Sequence, residues 1–93
     1  METAFYILIY IRTAKGFESF GRFYIGDNEE LAHQLFKKLK GNEEFVEENV
    51  LQIDLMETKN NLPINIKVMG CTLEQLAENC RIITKDVFKM FVL

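Results

Sequence analysis

The chain has 93 residues, 48% hydrophobic and 27% charged, a balance that fits one folded domain with a single core. Eleven Lys and Arg against 14 Asp and Glu leave a net charge of −3, which argues against broad electrostatic capture of nucleic acid or an anionic membrane. Two cysteines are too few for a disulfide scaffold, and no secretion-type leader precedes the first apolar run, so the expected compartment is the cytoplasm.

Phe5 to Arg12 is rich in β-branched and aromatic residues and predicts a strand, too short to span a bilayer. Ala14-Lys15-Gly16 turns the chain, and Phe20 to Ile25 returns as a second strand in which Gly21 marks either a bulge or a close backbone approach. Asp27 is the expected helix N-cap, with Glu30 completing a capping box. Leu31, Ala32, Leu35, Phe36 and Leu39 then form one apolar stripe, which Gly41 stops. Asn42 to Asn49 is an acidic connector (Glu43, Glu44, Glu47, Glu48) around Phe45 and Val46, which would pin it to the core as a short helical turn.

The same signals then recur. Val50 to Glu57 predicts a third strand and Thr58 to Leu62 a turn with Asn60-Asn61 at its tip. Pro63 leads into a fourth strand, Ile64 to Met69, and favours a sheet edge because its nitrogen has no ladder proton. Thr72 and Gln75 form a second capping box, opening a helix that should bury Leu73, Leu76, Ala77, Cys80, Val87 and Phe91 and run to the C-terminus. Ile7, Ile9 and Ile11 lie 44 residues before Leu51, Ile53 and Leu55. Beyond the turns an offset of 45 pairs Phe23 with Val68, Asp27 with Thr72, Leu31 with Leu76 and Ala32 with Ala77.

Residues 1–93 are therefore one α+β domain built from two ββα units, about residues 5–41 and 49–93. The expected architecture is a two-layer sandwich: a four-stranded antiparallel sheet of order 2-1-3-4 with both helices on one face. Alternation assigns Ile7, Ile9, Ile11, Phe23, Ile25, Leu51, Ile53, Leu55, Ile64, Ile66 and Val68 to the covered face. The open face takes Tyr6, Leu8, Tyr10, Arg12, Phe20, Arg22 and Tyr24 from the first unit, and Val50, Gln52, Asp54, Met56, Lys67 and Met69 from the second. A wet face should be mostly polar, and this one is not.

Three uses of that face compete. Packing against a second copy in a homodimer is the first, since tyrosine, methionine and arginine favour interfaces. The second is a shallow ligand or peptide site, of a small-molecule-binding protein or minor enzyme, in which Tyr6, Tyr10, Arg12, Arg22 and Tyr24 fix a small anionic or polar group. Nucleobase stacking is the weakest, given the acidic balance and a basic fringe limited to Arg12, Arg22 and Lys67. The C-terminal run Val87 to Leu93 adds Phe88, Val92 and Leu93, which either cap the core or extend an association surface.

Catalytic signals are sparse. His33 is the lone histidine, expected on the solvated side of its helix and without ligand-spaced neighbours, so no metal site is expected. Ser19 is the lone serine, with nothing nearby in sequence to activate it. No nucleophile elbow or phosphate-binding glycine loop occurs, and no cofactor is implied. Cys71, just before the second helix, has a faint case for a lowered thiol pKa, with a structural role favoured. The segments FYILIYIRTAKGFESFGRFYIGD and INIKVMGCTLEQLAENC resemble small bacterial proteins of the kind solved by structure-first programmes, a resemblance that spans nearly the whole chain and implies no activity or site residues.

Overall fold

The structure is a computed structural model that describes residues 2–42 and 51–92, exclusive of the side chains of Asn65, Met90, Phe91 and Val92. The connector around Phe45 and Val46 and the C-terminal Leu93 lie outside the described residues, as do the side chains of Phe91 and Val92. In chain order the elements are β1 (Thr3–Thr13), β2 (Gly16–Tyr24), α1 (Glu29–Lys38), β3 (Leu51–Lys59), β4 (Leu62–Cys71) and α2 (Leu73–Val92). The strands form one antiparallel sheet in the order β2-β1-β3-β4.

Turn chemistry fixes both hairpins. Thr13 pairs with Gly16, and its hydroxyl accepts from the Lys15 N–H at 3.2 Å and donates to the Gly16 carbonyl at 3.1 Å. Gly16 sits at φ +111°, a conformation that a side chain would strain. In the second hairpin Lys59 pairs with Leu62 across Asn60 and Asn61, at φ 54° and 68°. Two successive left-handed residues give a turn whose twist matches the strands, and asparagine tolerates that region.

The central pair carries the duplication. Ile7 faces Leu55, Ile9 faces Ile53 and Ile11 faces Leu51, so the 44-residue offset maps this ladder onto itself about the Ile9–Ile53 pair. The offset of 45 expected beyond the turns does not hold. The N-caps are Asn28 and Thr72, and the buried residues Ala32 and Leu35 of α1, with Leu39 just past its end, match Leu76, Asn79 and Ile83, all 44 apart. Asn28, not Asp27, caps α1: its side-chain oxygen accepts from the Leu31 N–H at 3.0 Å. The second capping box is present as read, with Thr72 and Gln75 bonded reciprocally at 2.9 and 3.1 Å.

The return strands carry the largest shift. Phe23 faces Ile7, whereas Leu51, the counterpart of Ile7, faces Cys71. The true offset there is 48, because β3 runs on through Thr58 and Lys59 before turning, which adds two residues to each strand of the second hairpin. An offset of 45 reverses the parity of β4. Met69 is buried in the core beside Cys71, while Ile64, Ile66 and Val68 are exposed, so Met69 and the three aliphatic residues lie opposite to their expected faces.

The core lies between the sheet and the two helices. Phe5, Ile7, Ile9, Ile25, Leu51, Ile53 and Leu55 meet Ala32, Leu35 and Leu39 of α1 and Leu76 and Ile83 of α2. Leu31, Leu73 and Ala77, expected inside, are exposed, and Ile11 reaches only the rim. His33 is half-buried rather than solvated, edge-on to Phe5 at 6.3 Å between ring centres. Helix α1 ends at Lys38, with Leu39 extended. Gly41 does not stop it; a Cβ there would lie 2.6 Å from the Gly70 carbonyl oxygen and the Met69 Cγ. The bare backbone lets Asn42 bridge Gly70 through bonds of 2.8 and 2.9 Å.

Asn79 is fully buried, and hydropathy gives no hint of its role. Its side-chain oxygen accepts from the Lys40 N–H at 2.7 Å, and its amide donates to the Lys40 carbonyl at 2.8 Å. One amide thus satisfies both polar groups of the peptide that leaves α1 and holds that chain against α2. Asn79→Leu keeps the volume and strands both groups, so it is expected to cost about 1–3 kcal/mol, more than the ~1 kcal/mol of Thr72→Ala. Urea midpoints of the two variants at unchanged m-value check the order; equal losses would show that the Lys40 pairing contributes nothing special.

Candidate functional site

The sheet face turned away from the helices follows from the ladders in four rows. Tyr24, Tyr6, Met56 and Ile66 form the first, and Arg22, Leu8, Asp54 and Val68 the second. Ser19, Tyr10, Gln52 and Gly70 form the third, and Phe17 with Arg12 the fourth. The register slips between Ile9 and Tyr10, leaving Phe20 as the extra residue of a bulge next to Gly21. All seven expected residues (Tyr6, Leu8, Tyr10, Arg12, Phe20, Arg22, Tyr24) belong to this face or to its bulged margin.

The face is apolar at its two flanks and closed at its centre. Phe20 and Tyr24 on β2, and Ile64, Ile66 and Val68 on β4, are each 44–56% exposed. Leu8 and Asp54, side by side in the middle, retain only 9% and 6% of their surface, while Tyr6 and Tyr10 are half-buried. The centre is therefore not the open aromatic patch the alternation predicted. At roughly 200 Å² per large side chain, the two flanks present on the order of 500 Å² of exposed side-chain surface.

The polar groups are engaged among themselves. Tyr6 packs on Tyr24 at 5.5 Å between centres, and the Arg22 guanidinium lies 5.1 Å over the Tyr6 ring. Arg12 covers Phe17 at 5.8 Å, at the far end of the sheet. The residues read as a convergent anion pocket thus split into separate pairs. A cleft of about 830 Å³ does open at one end of the face, lined by Tyr6 and Tyr24 with Glu2, Thr3, Ala4, Asp27, Thr58 and Asn61. Among the described residues its charged lining groups are the carboxylates of Glu2 and Asp27, an electrostatic setting that disfavours anions.

Among the described residues Asp54 is the one acidic side chain buried at the centre. It accepts from the Gln52 amide at 2.9 Å, and burial raises its pKa against the lowering effect of that bond. Desolvation also raises the pKa of Tyr10, assisted by the neighbouring Asp54 charge. Cys71 shows the opposite of an activated thiol: burial, with Cys80 nearby, pushes it up to about 11. Among the described residues no three His, Cys, Asp or Glu side chains cluster to hold a metal, and no helix is long and apolar enough to cross a membrane.

Sequence reading missed the β4 flank and the Arg12–Phe17 pair. Both depend on irregularities, the β4 slip opposite Thr58 and the bulge at Phe20, that reverse alternation beyond them. The usable signal was Cys71, which directly precedes the cap residue Thr72 and must close the core; counting back from it by twos selects Met69 and leaves Val68, Ile66 and Ile64 outside. No protein-family model, curated protein or solved structure matches this chain.

The Asp54 shift has a direct consequence for stability. Its folded carboxyl keeps the proton to higher pH than the unfolded one, so its contribution is complete below about pH 4 and is lost as pH rises through the folded value. Asp54→Asn should raise the thermal midpoint at pH 7, leave it unchanged near pH 3 and remove that part of the slope. A variant whose pH profile stays parallel to the parent's would show that Asp54 is not desolvated.

Proposed function

We propose that this chain is a cytoplasmic, non-catalytic interaction module that self-associates through the uncovered face of its sheet. The observation that carries this reading is the exposure of Phe20, Tyr24, Ile64, Ile66 and Val68 on a sheet whose other face is filled by both helices. Together they come to on the order of 500 Å², divided between two separate flanks, and exposed apolar patches commonly mark contact sites. Tyrosine and arginine bound the β2 flank, in keeping with the composition of protein interfaces. A net charge of −3 on 93 residues is small enough that like copies repel only weakly at physiological salt.

A second reading rests on the cleft beside Tyr6 and Tyr24. There the module would hold a small neutral or cationic ligand against two aromatic rings and the Glu2 and Asp27 carboxylates. That chemistry replaces the anion favoured from Arg12 and Arg22. The cleft is also contiguous with the β2 flank, so a second copy would compete with such a ligand for Tyr24.

Tyr24→Glu and Phe20→Glu place charge on the β2 flank without entering the core. Under the self-association reading, either lowers the mass measured by light scattering during size exclusion, with far-UV circular dichroism unchanged. A wild type that already elutes as a monomer and gains thermal stability from a small amine would favour the cleft instead.

A further inference from the structure

Helix α2 has two sides of different chemistry. One holds Leu76, Asn79 and Ile83 in the interior. The opposite side carries Arg81, Lys85 and Lys89, all exposed and one helical turn apart, so their charges fall in line at intervals of about 6 Å along the axis. Cys80, Thr84 and Phe88 repeat the same spacing beside them, and the two rows border a shallow trough of about 750 Å³. Phe88 is 60% exposed and forms the apolar end of that trough. The nearby acids leave the cationic row largely open. Glu78 bonds Arg81 at 2.9 Å, an exposed pair of the kind that exchanges readily with another carboxylate, and Asp86 turns to α1, where it bonds Lys38 at 2.9 Å. Among the described residues Lys85 and Lys89 enter no ion pair. On a chain whose net charge is −3, this strip is a local reversal of sign.

We propose that this side of α2 docks an acidic, amphipathic helical segment of a partner protein. Its carboxylates lie along Arg81, Lys85 and Lys89, and its apolar side chains enter the trough against Thr84 and Phe88. Charge complementarity names this partner. A helix laid alongside α2 offers an acidic group at every fourth residue, in step with the three cations, and sets an apolar row next to them. Nucleic acid or an anionic membrane would meet the strip together with the negative charge of the whole chain, and three cations do not outweigh that repulsion. A short acidic segment engages the strip alone. The trough is shallow and lies on one helix, so the electrostatic part of the contact sets partner choice and encounter rate more than tightness. This surface is on the helix layer, so the inference goes beyond self-association through the sheet and does not depend on it.

Selection from a phage-displayed library of random peptides in a helix-favouring frame, carried out on the wild-type chain at low salt, tests the proposal. The enriched sequences should carry Asp or Glu at every fourth position beside apolar residues. Binding of a synthetic peptide of that sequence, read by fluorescence anisotropy, should weaken by about tenfold or more in Lys85→Glu/Lys89→Glu, and also as salt rises from roughly 50 to 300 mM. Replacing the peptide's acids with lysine should restore binding to the charge-reversed variant. Phe88→Ser should weaken binding of the acidic peptide and leave its salt dependence in place. All these substitutions are at exposed positions, and unchanged far-UV circular dichroism checks the fold. Selection that enriches no acidic pattern, or peptides that bind the charge-reversed variant as tightly as the parent, overturns the proposal. So does retention of the chain on phosphatidylserine vesicles that Lys85→Glu/Lys89→Glu abolishes, because the occupant is then a membrane. A lower oligomeric mass of that variant overturns it as well, because the occupant is then a second copy. Tyr24→Glu should leave peptide binding unchanged, so failure of the sheet-face contact and failure of this site are read separately.

Discussion

A four-stranded sheet has two faces, and the two helices of this chain both lie on one of them. Everything else in the molecule answers to that shortage. The covered face is closed in the ordinary way by Ile7, Ile9, Ile53 and Leu55 against Ala32, Leu35, Leu76 and Ile83. The face that carries neither helix exposes less apolar surface than its sequence suggests. At the centre it does so, since Leu8 and Asp54 are almost wholly buried there. The burial of Asp54 has an electrostatic cost, seen in its raised pKa, which an apolar residue would avoid. At the flanks the shielding stops, and aromatic and aliphatic side chains remain in contact with water.

Much of the fold was legible because local signals agreed with one another. Strands of β-branched residues, asparagine and glycine turns, two cap motifs and a 44-residue echo all point to paired ββα units, and the sheet order follows from the twofold relation. What escaped was register. Alternation carries a face assignment along a strand only while the ladder is regular, and a single extra residue reverses every assignment beyond it. The slip opposite Thr58 did this to β4, turning Val68, Ile66 and Ile64 outward. A choice of offset that matched Asp27 to Thr72 concealed the error, because it moved the helix cap by one residue as well.

Polar residues with structural work were the other blind spot. Asn79 sits where hydropathy marks a gap in the stripe of α2, yet it occupies the place that Leu35 fills in α1. Its pairing with the Lys40 peptide is invisible without the three-dimensional path of the chain. Gly41 reads as a helix stop and is instead the point where two backbones touch. In both cases the residue type follows from a contact distant in sequence. The candidate surface was legible in outline from its tyrosines and arginines, while its engaged pairs and its second flank needed the ladders.

Sedimentation equilibrium of the wild-type chain across a wide concentration range, at physiological salt, tests the central claim most directly. One-sided coverage of the sheet predicts a weight-average mass that climbs with concentration to at least twice the 10.9 kDa of a single chain. A mass that stays at 10.9 kDa up to millimolar concentration would contradict it, because the uncovered flanks would then be stable in water without a second copy.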